Sequence, residues 1–458
     1  MTEGDSDRTT PFYGLDDKTN APVTLLCGIQ HVLAMFVGII TPPLIIAGAL
    51  SLSLADSAFL ISMALFTSGI TTFIQVRRFG PLGSGLLSVQ GTSFTFVPLA
   101  IQSGAAGGLP LIFGLSIAAA PLQMILSRFL GFARRLFPPI VTGSVVLLIG
   151  MSLIRVGMRD MAGGAGIDDF GHPRHLLLGA FVLITIILLN RFGRGFVATI
   201  SIALGLLCGY VLAALLGRID FAPLAEAGWW TVPQPLQYGL SFDAIYLLPW
   251  LIAYFVTTLE SIGDLTATSQ VSRQPVDGPV FLRRIKGGVL ADGFNSIIAG
   301  CFNAMPNTTF SQNNGVIGLT GVAARRVGYA VAAWLVLLGL FPKFAALISI
   351  MPKPVLGGAT VVMFAMVAVA GLRIAFRDGL TLRNELILAV TLALGMGVIM
   401  VPDAVANLEF YDGDNTLLQG AQQSLQIVAQ SGLAVGAITA AMLNLIFPER
   451  SDEADRLS

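Results

Sequence analysis

The sequence predicts an all-α integral membrane protein with fourteen transmembrane segments, arranged as a seven-plus-seven inverted repeat with short extended (β) stretches in spans 3 and 10. Three observations favour this fold class: a chain that is 55% hydrophobic and only 11% charged, a long series of apolar stretches, and a one-sided distribution of arginine and lysine. An average soluble protein is about 25% charged. The composition therefore excludes a water-facing surface over most of the chain.

The net charge and the cysteines argue against further classes of protein. With 26 basic and 26 acidic residues the formal net charge is zero, so we expect no nucleic-acid partner. The three cysteines (Cys27, Cys208 and Cys301) lie in separate apolar stretches, without the spacing of a metal site or a disulfide scaffold. The N-terminal sequence MTEGDSDRTT is polar and acidic, which is not the pattern of a secretory signal. We expect no metal and no cofactor.

Stretches of about 20 apolar residues are long enough to cross a bilayer as a helix. The first series of segments lies at 25–49, 57–76, 82–101, 108–127, 136–157, 175–192 and 196–216. The second lies at 244–268, 287–304, 308–320, 327–350, 355–375, 384–402 and 427–447. Because seven is odd, the two halves have opposite orientations in the membrane, which is typical of secondary transporters.

The distribution of basic residues supports this count, because short cytoplasmic loops carry an excess of arginine and lysine. With the N-terminus inside, the cytoplasmic loops hold 16 basic residues: Arg77, Arg78, Arg128, Arg134, Arg135, Arg191, Arg194, Arg273, Arg283, Arg284, Lys286, Arg325, Arg326, Arg373, Arg377 and Arg383. The opposite side holds 6: Arg155, Arg159, Arg174, Arg218, Lys343 and Lys353. The excess predicts that both termini are cytoplasmic.

The third segment of each half is unusually polar and contains glycine. Span 3 contains Gly83, Ser84, Gly85 and then SVQGTSFTF over 88–96, and span 10 reads TTFSQNNGVIGLTG over 308–321. Irregular backbone at membrane depth is tolerated only where it lines a protein cavity. We therefore predict that both spans are broken, part extended and part helical, and that they meet near the membrane midplane.

Three acidic residues lie well inside predicted spans, away from the first turn, where a charge costs about 2.5 to 3.5 kcal/mol on insertion scales. Glu260 and Asp264 are four residues apart in span 8 and so share a helix face. Two ionised carboxylates on one face repel, so at least one is a candidate proton carrier. Asp292 in span 9 is a third candidate. The alternative is that these acids are solvated at helix ends.

Four polar residues in spans 1 and 10 are further candidates. His31 lies in span 1, where it either takes part in the site or hydrogen-bonds a neighbouring helix. Gln312, Asn313 and Asn314 are consecutive amides, suited to a planar ligand with alternating donors and acceptors. For Asn313 and Asn314 the alternative is a cap at the helix break.

These motifs resemble the nucleobase/ascorbate transporter family, the nucleobase:cation symporters of the second type. Its signature is Gln, Glu or Pro, then Asn, any residue, Gly, four of any kind, Thr, and Arg, Lys or Gly, and residues 312–321 fit it throughout. Three further blocks match in order: Gln30-His31, ESIGDLTAT over 260–268 and KGGVLADG over 286–293. The resemblance extends from about Phe12 to Pro448.

The resemblance implies a domain organisation. A core domain would comprise spans 1 to 4 (25–127) and 8 to 11 (244–350), and a gate domain spans 5 to 7 (128–216) and 12 to 14 (351–447). A connection (217–243) and two cytoplasmic tails (1–24 and 448–458) complete the chain. Similar proteins are homodimers of the inner (plasma) membrane that move the core against the gate, as an elevator.

The resemblance also assigns roles to residues. It implies that the substrate-binding residues are Glu260, Gln312, Ser93 and Phe94. It implies that Asp264, Asp292, His31 and Asn313 serve proton coupling or organise the site. We expect no catalytic residue, because the sequence has neither the spacing of zinc ligands nor a nucleophile motif. We therefore do not expect the protein to be an enzyme.

The expected function is proton-coupled import of a small-molecule purine across the lipid bilayer. Gln at position 312 resembles the xanthine and uric acid permease subgroup, whereas uracil transporters usually carry Glu there. At Ser93 the chain departs from xanthine-selective members, which often have Asn at this position. The smaller serine side chain favours 8-oxidised purines. We therefore expect uric acid to be the preferred substrate, with xanthine close behind. The alternatives are strict xanthine selectivity, a broader uracil-type range, and sodium coupling. A channel and an intramembrane enzyme are disfavoured.

Overall fold

A computed structural model describes residues 12–130, 138–164, 166–377, 379, 381–405, 407–408, 411 and 415–447. Arg134 and Arg135, the first eleven residues of the N-terminal tail and the whole C-terminal tail lie outside the described residues.

The described chain is almost entirely helical. The longer helices are α1 (Ala21–Ala49), α2 (Leu54–Arg77), α3 (Val97–Leu126), α4 (Pro139–Met161), α5 (Pro173–Phe192), α6 (Ser201–Leu215), α7 (Leu247–Val271), α8 (Gly278–Cys301), α9 (Gln312–Thr320), α10 (Arg325–Gly339), α11 (Pro342–Ser349), α12 (Lys353–Ala375), α13 (Leu382–Met400), α14 (Thr416–Gln430) and α15 (Gly432–Ile446). Short helical segments occupy Phe94–Phe96, Phe196–Thr199, Ala222–Glu226, Ala244–Tyr246 and Pro402–Val405. The strands are β1 (Gln90–Thr92) and β2 (Asn307–Thr309).

Many of these helices have the length and hydropathy of membrane spans. Within the described ranges, eight are long and apolar enough to cross a bilayer, and ten are if each of two bent helix pairs counts as one span. The chain is therefore a multi-pass membrane protein. Each of the fourteen predicted segments coincides with a helix or a strand and helix, but helices α6, α8 and α9 fall outside these ten. The count of fourteen crossings remains a prediction.

Two predicted spans are divided, which corrects the sequence prediction. Segment 327–350 consists of α10 and α11, bent by 74° where Pro342 begins the second helix. Segment 427–447 begins in the last turn of α14 and continues in α15 after an 89° bend. Ser431 lies at this bend and caps α15 by accepting a hydrogen bond from the Ala434 amide. The amphipathic helix α14 was not predicted, because its glutamines interrupt the apolar run.

The two broken spans cross as predicted, with an extended stretch and a helix in each. Strands β1 and β2 pair antiparallel in the register Gln90↔Thr309, Gly91↔Thr308 and Thr92↔Asn307. The pairing continues beyond the strands, because the Phe310 amide donates to the Val89 carbonyl and the Ser93 amide to the Pro306 carbonyl. The helix α3 follows β1 and the helix α9 follows β2.

The boundary between predicted spans 3 and 4 appears as a break inside α3. Gly107 and Gly108 have non-helical dihedral angles there, and Gly108 has a φ of +68° that glycine adopts without strain. The break separates residues 97–106 from residues 109–126.

The helices pack in two groups. Helix α10 packs against α1 and α2, and α3 packs against α7 and α8. In the other group, α12 packs against α4, α5 and α6, while α15 packs against α13 and α4. The division into the core and gate domains implied by the resemblance remains a proposal.

Glycines bring α4 and α12 into close backbone contact. A Cβ atom at Gly150 would lie 2.4 Å from the Ala368 amide nitrogen, and one at Gly143 would lie 2.2 Å from the Ala375 amide nitrogen. From the other helix, a Cβ at Gly357 would lie 2.1 Å from the Met161 nitrogen. Small residues at a helix interface allow such approach within membranes.

The variant Gly150→Ala tests this packing. The added methyl group should force α4 and α12 apart and lower the free energy of unfolding by about 1–3 kcal/mol, the usual cost of overpacking. We expect a lower thermal unfolding temperature for the purified protein in detergent. The matched control is Gly397→Ala in α13, where an added Cβ meets no atom within 4 Å. An equal change in both variants would contradict the packing argument.

Candidate functional site

The central feature of the site is the carboxylate of Glu260, which lies in the interior of α7 and is half-buried. The Thr95 hydroxyl lies 3.2 Å and 3.1 Å from the two carboxylate oxygens and donates to this group. Thr95 lies in the helical turn Phe94–Phe96 that joins β1 to α3. The carboxylate is therefore held where a broken span resumes its helix, rather than at the end of α7.

Asp264 follows on the same face of α7 and lies close enough to Glu260 and Asp292 for the carboxylates to repel one another when they are ionised. The Thr309 hydroxyl in β2 donates to one Asp264 oxygen at 3.3 Å. Between the two acids, Gly263 is exposed, and a Cβ atom there would meet nothing within 4 Å. The same holds at Gly315 in α9. Open space therefore borders α7 at Gly263 and α9 at Gly315.

Asp292 is fully buried behind this face. Gln75 of α2 donates its side-chain amide to one carboxylate oxygen at 3.1 Å, and the Ser261 hydroxyl donates to the other. Ser261 is the neighbour of Glu260, and its hydroxyl also lies 3.5 Å from that of Thr308 in β2. Asp292 therefore connects α2, α7 and α8, and contacts the site through Ser261 rather than directly.

His31 in α1 and Asn313 in α9 are both fully buried. Among the described residues, neither ring nitrogen of His31 has a hydrogen-bond partner, and Oδ1 of Asn313 has none either. The side-chain amide of Asn313 donates to the Leu87 carbonyl, just before β1. Asn314 accepts a hydrogen bond from the Thr268 hydroxyl at 2.7 Å, which links α9 to α7. These contacts fit the alternative in which the asparagines fix the helix break.

The remaining predicted residues lie around the start of the two half-helices. Gln312 is the first residue of α9, is exposed, and forms no hydrogen bond with Glu260 in the described part of the chain. Ser93 is 1% exposed, and its hydroxyl has no hydrogen-bond partner among the described residues. The half-buried Phe94 ring packs edge-on against Phe364 of α12, with 5.3 Å between centroids.

Sequence reasoning did not identify four residues of the site: Thr95, Thr309, Ser261 and Gln75. Each of them hydrogen-bonds an acidic residue that is distant in sequence. Hydroxyl residues in membrane helices usually bond their own helix, as Thr266 and Ser269 do in α7. Residue type alone therefore cannot identify the few hydroxyls that contact a carboxylate.

The arrangement can bind a polar planar molecule. Helix N-termini carry partial positive charge and favour electronegative atoms of a ligand, and α3 and α9 both begin here. Glu260 accepts hydrogen bonds from ring N–H groups, while Gln312 can donate and accept. Both half-helices and a carboxylate therefore surround one polar location within an apolar bundle.

Comparison with known proteins agrees with the sequence signature. A family model described as "Permease family" matches residues 23–404. The xanthine permease XanP of Escherichia coli K12 is 46% identical over 451 residues, covering 95% of this chain and 94% of XanP. The xanthine permease XanQ of the same strain is 40% identical, covering 95% and 94%. A putative purine permease, CPE0397 of Clostridium perfringens, is 39% identical, covering 96% and 93%.

More distant solved structures share the fold. The transmembrane domain of the cyanobacterial bicarbonate transporter BicA aligns with a TM-score of 0.59 at 15% identity, covering 85% of this chain and 98% of that domain. The murine anion transporter Slc26a9, in an inward-facing state, aligns with a TM-score of 0.60 at 12% identity, covering 94% and 69%. The relatives in sequence are named permeases rather than enzymes, so this chain is a transporter. It belongs to the nucleobase/ascorbate transporter family.

Proposed function

We propose that this protein imports purine bases, with uric acid and xanthine as the favoured substrates, and that proton entry drives the import. The observation that carries the proposal is the half-buried Glu260 carboxylate, held by Thr95 where α3 begins. The relatives named as xanthine and purine permeases support the substrate class. The protein would act as a homodimer in the inner membrane, with both termini cytoplasmic.

The proposed contacts follow from hydrogen-bonding capacity. A purine would donate ring N–H groups to Glu260 and present a carbonyl and an adjacent N–H to Gln312, which both donates and accepts. The Ser93 hydroxyl, which has no hydrogen-bond partner among the described residues, would bond a ring substituent, and a serine would hinder an 8-oxo group less than an asparagine. Phe94 would pack against the ring of the base. On this ground the proposal puts uric acid before a strictly xanthine-selective site.

Coupling would use the other buried polar groups. Asp264 and Asp292 would exchange protons, while His31 and Asn313 would hold the helix break in place. One proton entering with a neutral base moves one charge, and 100 mV contributes about 2.3 kcal/mol per charge. Since about 1.4 kcal/mol is a factor of ten, the potential supports roughly fifty-fold accumulation. With an anionic urate the same step is electroneutral and depends on the pH gradient alone.

The transport movement would be a displacement of the core helices against the gate helices. Phe94 lies in the implied core, and its ring contacts Phe364 of α12 in the implied gate. The substrate location therefore borders the boundary at which an elevator-like movement would occur. The substrate would travel with the core, between α3, α7 and α9.

Two other functions, a channel and a uracil-type symporter, and one other coupling ion, sodium, remain as alternatives. A channel needs no carboxylates that change protonation, and it would equilibrate purine without accumulating it. A uracil-type symporter would accept pyrimidines. Sodium coupling would make uptake depend on sodium at constant pH, whereas proton coupling would make it independent of sodium.

Competition for labelled xanthine uptake in cells expressing the protein tests the substrate range. We expect uric acid and unlabelled xanthine to compete strongly, hypoxanthine and guanine weakly, and uracil least, because the Gln312 amide and a small residue at position 93 suit oxidised purines. The measurement is the concentration of each base that halves initial uptake. Strong competition by uracil would contradict the purine assignment, and failure of uric acid alone would leave a xanthine-selective transporter.

The variant Thr95→Val should raise the KM for purine about tenfold, because a hydrogen bond to a charged group contributes about 1.5–3 kcal/mol. The valine side chain keeps the shape of threonine but cannot orient Glu260. Thr95→Ser keeps the hydroxyl and should restore a KM near that of the wild type. Initial-rate kinetics, with surface expression measured in parallel, check the result. An unchanged KM in Thr95→Val would remove Thr95 from the site.

The variant Asp264→Asn should bind purine with an affinity close to that of the wild type but fail to accumulate it. An amide keeps the contact with Thr309 while losing the ability to take up a proton. The measurements are equilibrium binding of xanthine to purified protein and uptake into cells against a gradient. Normal proton-dependent accumulation by Asp264→Asn would refute this coupling role.

A further inference from the structure

Three arginines form a cluster at the end of the bundle where α2 ends and α8 and α10 begin. Arg78 follows α2, Arg284 lies in the second turn of α8, and Arg325 is the first residue of α10. Arg284 lies close enough to Arg78 and Arg325 for their positive charges to repel its own. We call these three residues the Arg284 cluster. All three side chains are partly buried, so solvent does not fully screen their mutual repulsion.

The turn at Gly85 brings two of the three together. A Cβ atom at Gly85 would lie 3.3 Å from a terminal nitrogen of Arg325 and 3.6 Å from Cδ of Arg78. The Arg325 Nε also donates to the Gly85 carbonyl at 2.7 Å. The backbone of the broken span therefore lies close to two of the three arginines and holds the Arg325 guanidinium by a hydrogen bond.

The cluster has more positive than negative charge. In the described part of the chain, Asp16 is the acidic residue within reach of Arg284. Asp16 is already paired with Arg325, and its side chain is 80% exposed. Three guanidinium groups thus share one carboxylate that is largely in water. Close like charges without counter-charges destabilise a folded protein.

Arg284 also has an unused donor. Its Nη1 is buried and has no hydrogen-bond partner among the described residues. A guanidinium group presents its N–H groups in a planar fork that matches the oxygens of phosphate. Buried donors are rarely left without an acceptor, so this nitrogen indicates where an acceptor oxygen binds.

We propose that the Arg284 cluster binds a phosphate-type anion, either the headgroup of an anionic lipid or free phosphate. The cluster belongs to the basic set on the side predicted to be cytoplasmic, where anionic lipids attract such groups. The site is separate from Glu260 and independent of the proposed purine transport. Its expected effect is to stabilise the junction of α2, α8 and α10.

The test compares purified full-length wild type with Arg284→Gln and with Arg283→Gln in neutral detergent. Arg283 is the exposed neighbour of Arg284, so its variant removes the same charge outside the cluster. Each protein is titrated with short-chain phosphatidylglycerol, with short-chain phosphatidylcholine, or with inorganic phosphate against chloride of equal ionic strength. The measurement is the thermal unfolding temperature as a function of added ligand, which yields an apparent Kd.

We expect an anionic ligand to raise the unfolding temperature of wild type and of Arg283→Gln. In Arg284→Gln the apparent affinity should fall about tenfold, since a charge-assisted hydrogen bond is lost. Stabilisation by phosphatidylglycerol alone identifies a lipid headgroup, and equal stabilisation by phosphate identifies the free anion. The proposal is overturned if neither anion stabilises the wild type. Equal responses of the two variants would also overturn it.

Discussion

The two broken spans place backbone amide and carbonyl groups outside helices in the interior of an apolar bundle. The position of the site follows from how these groups are paired. Unpaired amide and carbonyl groups at membrane depth cost several kcal/mol each. Strands β1 and β2 avoid this cost because their backbone groups hydrogen-bond each other. The pairing extends beyond both ends of the strands, through the backbone of Val89, Ser93, Pro306 and Phe310. Each broken span thus supplies the partner that the other one needs.

The crossing of the two strands determines where polar chemistry can occur. The helices α3 and α9 begin immediately after the strands, so their N-termini lie at the crossing. The hydroxyls of Thr95 and Thr309, one from each broken span, reach Glu260 and Asp264 on the same face of α7. A third acid, Asp292, is held away from the open face by Gln75 and Ser261. The acids therefore differ in access to solvent and in hydrogen-bond partners, which is what separate roles in binding and coupling require.

Much of this organisation could be predicted from the sequence, because it follows from periodicity and composition. The polar, glycine-bearing third segments predicted the strand-and-helix breaks at Gln90 and Asn307, and Glu260 and Asp264 were recognisable as acids in an apolar run. The bends at Phe341 and Ser431 could not be predicted, since hydropathy measures how apolar a run is and not its direction. The roles of Thr95 and Gln75 depend on contacts between residues far apart in sequence. The unbonded Arg284 nitrogen likewise appears only when the helix ends are assembled.

The proposed function requires that a purine and a proton are handled together at the crossing of the two broken spans. A decisive experiment uses purified wild-type protein in proteoliposomes, with an imposed inward proton gradient and labelled xanthine or uric acid outside. Proton-coupled import would accumulate the base above its external concentration, and the accumulation would collapse when a protonophore is added. Equilibration to the external concentration, with or without the gradient, would contradict it.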